Sequence, residues 1–261
     1  MIENFEVIDF LPKNDFETEV KTDHLALGSG TKIYTAIPKK SSSLGLVYHP
    51  DIFGLTNVVE DTIFQIAARG VSCIAIDPFT KLEKDGPLTR EEKLLRVNEM
   101  NDITQCADLL AAAQLLRTKH GCHKVALIGF CIGGMYAFKT SGVGLFDCVV
   151  SCYGMITMPE DWNSDSQREP LDYLSMDSVS PVLAIIGGKD AMYGDEKDVK
   201  DLIDLFSNAR HTTLGSKIEI FENSGHAFMH NPNHQNYLEV DAKNAWKIAF
   251  DFISQKTGLE I

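Results

Sequence analysis

Residues 125–130 form an apolar run that leads into Cys131-Ile132-Gly133-Gly134. The run reads as a buried strand and Met135-Tyr136-Ala137-Phe138-Lys139 as a helix, so Cys131 sits where a strand turns sharply into a helix. In that setting Gly-x-Cys-x-Gly-Gly is a nucleophile elbow that carries sulfur in place of oxygen. Gly129 and Gly133 have no Cβ and leave room in the bend. The helix N-terminus beyond them favours negative charge on the sulfur and on a nearby oxyanion. A thiolate held there is reactive. The other five cysteines read differently. Cys73, Cys148 and Cys152 lie in apolar strand-like runs and Cys106 on a helix, where cysteine acts as a small hydrophobe, and Cys122 is read as structural with them.

A cysteine nucleophile needs a base, and the base needs a group that fixes its tautomer. The run 182–186 ends in Gly187-Gly188-Lys189-Asp190, which puts a carboxylate just past a strand end. The run 218–221 is followed by Glu222-Asn223-Ser224-Gly225-His226, which puts an imidazole past the next one. Cys131, Asp190 and His226 thus follow one another in the chain order of α/β-hydrolases. The earlier run 44–49 leads into Pro50-Asp51-Ile52-Phe53-Gly54, where such enzymes place a second oxyanion N–H, so the donors are assigned to the backbones of Ile52 and Ile132. His226, His230 and His234 are spaced by four, but Pro232 breaks the helix that would align them on a metal, so no metal site is expected, and chemistry of this kind needs no cofactor. His120, His123 and His211 fit solvent-facing roles.

These groups need a frame that brings strand ends together. Strands are expected over 44–49, 71–76, 124–130, 148–153, 181–186 and 217–221, with helices over 58–69, 89–119, 132–140, 196–208 and 240–256. Such alternation predicts an α/β fold with a mostly parallel central sheet and helices on both faces. Residues 5–11 and 32–37 read as an opening antiparallel hairpin or edge pair, while 81–96 and 155–180 read as cap or overhanging segments of a single 1–261 domain. A net charge of −13 argues against nucleic acid and anionic membrane surfaces as partners. No run approaches the roughly 18 apolar residues of a membrane helix. The N-terminus lacks the pattern of a secretion signal, and six cysteines without framework spacing suit reduced thiols, so a cytoplasmic protein is expected, as a monomer or small homo-oligomer.

The motifs Pro50-Asp51-Ile52-Phe53-Gly54, Gly129-Phe130-Cys131-Ile132-Gly133-Gly134, Gly187-Gly188-Lys189-Asp190 and Gly225-His226-Ala227-Phe228 occur in this order. Over roughly residues 30 to 255 the chain resembles the dienelactone hydrolase family of α/β-hydrolases. The resemblance implies a Cys131-His226-Asp190 triad, Ile52 and Ile132 as oxyanion donors, and a small ester or lactone as substrate. In the family's best-studied enzymes a glutamate before Ile-Phe-Gly pairs with the cysteine and tunes its ionisation; here that position is Asp51. Two family arginines hold a substrate carboxylate. The first falls on Arg90, with Arg96 the nearby alternative, and the second on His230; Phe53 joins them in the pocket. Family aromatics beyond Arg90 are replaced by residues such as Leu94 and Val97. Two rivals follow: a general carboxylesterase or thioesterase acting on an uncharged substrate, and a non-catalytic binding protein on the same scaffold.

Overall fold

A computed structural model of the chain describes residues 19–83, 86–193 and 196–261. Among them are eight strands: β1 (Val20–Ala26), β2 (Lys32–Pro38), β3 (Leu44–His49), β4 (Ser72–Ile76), β5 (Lys124–Phe130), β6 (Cys148–Cys152), β7 (Val182–Gly187) and β8 (Lys217–Phe221). They form one sheet in the order β1-β2-β4-β3-β5-β6-β7-β8. The pairs β1/β2 and β2/β4 are antiparallel, and every pair from β4 to β8 is parallel. Strands β3, β4, β6 and β7 are buried at every residue, as apolar runs covered on both faces must be.

The helices are α1 (Asn57–Ala67), α2 (Arg90–Leu95), α3 (Asp102–His120), α4 (Ile132–Ser141), α5 (Pro170–Leu174), α6 (Glu196–Phe206), α7 (Ala209–Leu214) and α8 (Glu239–Thr257). Side chains alternate across a strand, so adjacent residues of β3 report opposite faces. Gly45 lies against α3, where an added Cβ would stand 3.0 Å from Leu116 Cδ1, and His49 lies against Gly133 of α4. Tyr48 turns the other way, stacking on Phe130 at 4.9 Å, which in turn meets Trp246 of α8 at 5.5 Å. Among the described residues no helix is long and apolar enough to cross a membrane.

Register brings the chemistry to one rim. His49 pairs with Gly129, Phe130 with Cys152, Cys152 with Ile185, and Gly187 with Phe221. The loops after β3, β5, β6, β7 and β8 therefore emerge side by side at the carboxyl edge of the sheet, where sites of such folds lie.

Two expectations change. The strand paired with β2 is β1, whereas the expected partner, 5–11, lies outside the described residues. β1 is an edge strand with mostly exposed side chains, so it has no apolar alternation to announce it. The single helix expected over 89–119 is three pieces: α2, a turn of 3₁₀ helix at Val97–Glu99, and α3. Thr89 and Glu92 cap α2 reciprocally, and Met100 is extended before Asn101 caps α3 by accepting from Thr104 N at 3.2 Å.

The segment 155–180 is stitched to this break. Lys139 of α4 and Asp102 of α3 form a buried pair, Nζ to Oδ1 2.8 Å, with side chains 0% and 3% exposed. The other Asp102 oxygen accepts from Arg168 N at 2.8 Å and from the Tyr173 hydroxyl at 3.0 Å. Gln167 Nε2 donates to Val97 O at 2.8 Å.

Candidate active site

Cys131 lies between β5 and α4 with φ 56° and ψ −117°, a conformation that β-carbon-bearing residues rarely adopt. Such strain costs about 1–3 kcal/mol and persists only where the surroundings enforce it. Here they do. A Cβ on Gly129 would stand 2.0 Å from Gly133 O, and one on Gly133 would stand 2.3 Å from His49 O, so both glycines are required for α4 to approach the sheet this closely. Cys131 N donates to Cys152 O at 3.0 Å, and Cys131 O accepts from Met135 N at 3.0 Å, which locks the bend at both ends.

The loops after β7 and β8 are zipped together. Gly188 N donates to Phe221 O at 2.8 Å and Lys189 N to Ser224 O at 2.9 Å. Gly187 and Gly188 permit the approach, since Cβ atoms there would fall 2.7 Å from Ser224 O and 2.8 Å from Glu222 Cα. The zipper sets Asp190 Oδ2 2.8 Å from His226 Nδ1, with the Asp190 side chain fully buried. Because the carboxylate only accepts, Nδ1 carries the proton of that bond. His226 also faces Cys131. Burial works to discharge the imidazole, but negative charge at Cys131 and the Asp190 hydrogen bond outweigh it and push its pKa up to about 10. The structure thus brings Cys131, His226 and Asp190 into one constellation.

All six cysteines are free and buried. Exposure does not separate Cys131 from Cys106, since both are 7% exposed; the imidazole beside Cys131 does. Burial pushes the thiols of Cys73, Cys106, Cys122, Cys148 and Cys152 up, that of Cys106 to about 11.

Among the described residues, the N–H groups of Ile52 and Ile132 have no acceptor within the protein. Ile132 is the first residue of α4, where an N–H has no intrahelical partner. The Ile52 turn is shaped by Asp51, whose Oδ1 accepts from Phe53 N at 2.9 Å and whose carbonyl accepts from Gly54 N at 3.0 Å. Asp51 Oδ2 is 2.9 Å from His230 Nε2, and the Tyr153 hydroxyl bonds His230 Nδ1.

The sequence model of the dienelactone hydrolase family matches residues 31–257. The chain belongs to the dienelactone hydrolase family. It is 25% identical over 227 residues to the probable 2-oxo-3-(5-oxofuran-2-ylidene)propanoate lactonase of a Bradyrhizobium species, an alignment covering 84% of this chain and 87% of that one. It is 28% identical over 131 residues to carboxymethylenebutenolidase 1 of Cupriavidus pinatubonensis, covering 47% of this chain and 55% of the relative. Its fold is shared with a candidate dienelactone hydrolase from Klebsiella pneumoniae, at TM-score 0.78 and 20% identity over 91% of this chain and 99% of that one. The family is one of α/β-hydrolases, and the parallel sheet described above is the sheet of that fold.

In this dienelactone hydrolase family member the other residues expected in the pocket divide. Arg90 is half exposed, with its guanidinium carbon 6.0 Å from the centre of the Phe53 ring, itself 42% exposed. Arg96 is committed elsewhere, gripping Glu99 with two nitrogens at 2.8 Å and Leu82 O with a third. His230 is buried, with both ring nitrogens engaged.

Two neighbours of the candidate triad, Tyr153 and Tyr193, escaped the sequence reading, and a third, His234, entered it only as a rejected metal ligand. Tyr153 follows β6 with φ 40° and sets its ring edge-on to His226 at 5.2 Å. The buried Tyr193 hydroxyl has no partner among the described residues; burial raises its pKa, and Asp190 and Cys131 add to the effect. Burial lowers the pKa of His234, and the charges of His226 and Arg90 act on it in the same direction. Tyr153 was accessible to the rule that found the triad, because it stands just past a strand end.

Proposed function

We propose that this hydrolase cleaves a small ester or lactone through a Cys131-His226-Asp190 triad and an acyl-cysteine intermediate. The observation that carries the reading is His226 held between Asp190 and Cys131 at a strained elbow. The Cys131 thiolate attacks the carbonyl carbon, forming a C–S bond and a tetrahedral oxyanion. The N–H groups of Ile52 and Ile132 stabilise that oxyanion, each such donor being worth about 2.7–4 kcal/mol. Collapse breaks the C–O bond, and His226 gives its proton to the leaving oxygen. Water then adds to the thioester, His226 takes its proton, and the acid leaves as the C–S bond breaks. Asp51 acts on the nucleophile indirectly, through the turn that carries Ile52. Acid quenching during turnover of an aryl ester, followed by peptide mass spectrometry, should find the acyl group on Cys131. Its absence under burst conditions would argue against a covalent intermediate. A cytosolic setting, in which these thiols stay reduced, fits this chemistry.

The imidazolium sets a pH signature. It persists as pH rises until about 10 and is lost above it. The expected kcat/KM profile is therefore level from neutrality toward pH 10 and falls beyond. An alkaline limb near the ordinary histidine value of about 6.5 would count against the ion pair.

A second reading, hydrolysis of uncharged esters, is favoured by the engagement of His230 with Asp51 and Tyr153. Arg90→Ala separates the two. If the substrate carries a carboxylate, the preference for a carboxylate-bearing ester over its neutral analogue should fall about tenfold, the worth of one charged hydrogen bond. An unchanged preference favours the uncharged substrate.

A further inference from the structure

Against Phe130, the residue before the proposed nucleophile, lies a second imidazole, and its hydrogen bonds define its form. His230 is 3% exposed and walled by Phe130, ring centres 5.1 Å apart, and by Tyr153, 5.8 Å apart. Its Nε2 faces Asp51 Oδ2 at 2.9 Å. A carboxylate offers only lone pairs, so Nε2 carries a hydrogen. Its Nδ1 meets the hydroxyl of Tyr153, a fully buried residue for which His230 is the one hydrogen-bond partner of that oxygen among the described residues. The phenol proton must therefore go to Nδ1, which accepts it as a lone pair. A neutral imidazole satisfies all three side chains, whereas an imidazolium would leave a buried phenol proton without an acceptor. The far end of the chain is the oxyanion turn, since Asp51 Oδ1 takes the Phe53 N–H at 2.9 Å. Tyr153 holds φ 40° at the near end, so backbone strain is kept where the hydroxyl is aimed.

The geometry points to Asp51-His230-Tyr153 as a neutral positioning relay that fixes the turn bearing Ile52, with His230 a positioning residue and not an anion-binding one. The relay rests on the proposed roles of Cys131 and Ile52. It spans three loops, from the ends of β3, β6 and β8, and ties the oxyanion turn to the loop that carries His226. Glutamine at 230 offers the same pair of groups, an N–H toward Asp51 and a C=O toward Tyr153, and cannot become a cation.

The test compares His230→Leu, His230→Gln and Tyr153→Phe on a neutral aryl ester, alongside ¹⁵N NMR of the wild-type histidine rings near neutral pH. His230→Leu should lower kcat by about tenfold to a hundredfold with little change in KM, the scale of a misplaced catalytic group. His230→Gln should recover most of that loss, to within about threefold of wild type, or less than 1 kcal/mol of barrier. His230 should show a protonated Nε2 and a bare Nδ1. Tyr153→Phe removes only an oxygen and should lower kcat in the same direction, which keeps the test open if the 230 variants fail to fold. The relay is overturned by a glutamine variant as poor as leucine, by a doubly protonated His230, by unchanged kcat in Tyr153→Phe, or by variants that raise KM for a carboxylate-bearing ester alone. The ring NMR judges the relay by itself, so a failure of the Cys131 mechanism would show separately.

Discussion

Cys131→Ala is expected to lower kcat/KM for activated aryl esters by about four orders of magnitude or more, the scale seen when a triad nucleophile is removed. Without sulfur there is no C–S bond to form, and the free N–H groups of Ile52 and Ile132 can only polarise a carbonyl that water must then attack unaided. The substitution removes one buried atom from a position 7% exposed, so the fold should survive and the loss should be chemical. Labelling gives an independent measurement. A limiting alkylating reagent near neutral pH should modify Cys131 ahead of the other five, because Cys131 faces the His226 imidazole while burial pushes the other thiols up. Turnover near wild type in the alanine variant would sink the cysteine mechanism, and labelling with no preference for Cys131 would favour the non-catalytic reading.

Asp102→Ala is expected to cost about 3–5 kcal/mol of stability, the usual consequence of stranding one member of a buried ion pair. Lys139 is fully buried, its ammonium 2.8 Å from Asp102 and 5.1 Å from the Tyr136 ring centre. Burial already works to lower its pKa, and Asp102 is the main group opposing that. The variant also strands the Arg168 N–H and the Tyr173 hydroxyl, both bonded to the second Asp102 oxygen. Against a typical total of about 5–15 kcal/mol, the loss is a large fraction. Replacing both partners, as in Asp102→Leu with Lys139→Met, should recover much of it, because no unpaired charge then remains. Urea midpoints for the single and double variants check both statements. A shift in the single variant below about 1 kcal/mol, the scale of an exposed pair, would mean that the pair is solvated in solution.

Much of this architecture was legible because burial writes itself into local composition. β3, β5, β6 and β7 are apolar runs because both faces are covered, and they lie where the runs lie. The elbow was legible for a steric reason, since glycines at 129 and 133 are needed wherever α4 comes this close to His49. β1 was not, because an exposed edge strand has no apolar face to declare. The break at Met100 was missed although Val97, Asn98 and Asn101 are weak helix formers, because what holds Asp102 in place is the distant α4 lysine and the 155–180 segment.

The residues of the candidate triad could be named from sequence because each stands just past a run that had to be a strand, and strand ends in a parallel sheet share one rim. Which loops meet along that rim is decided by strand order and register, and these are relations between distant segments that no local pattern carries. Asp51 and His230 lie 179 residues apart, and Tyr153 and His230 lie 77 apart. By itself the sequence determined the elbow, the buried strands and the residue types at the strand ends. Only the tertiary structure decided that His230 turns inward to Asp51 and Tyr153, because β3, β5 and β6 run side by side and the loop after β8 folds back over them.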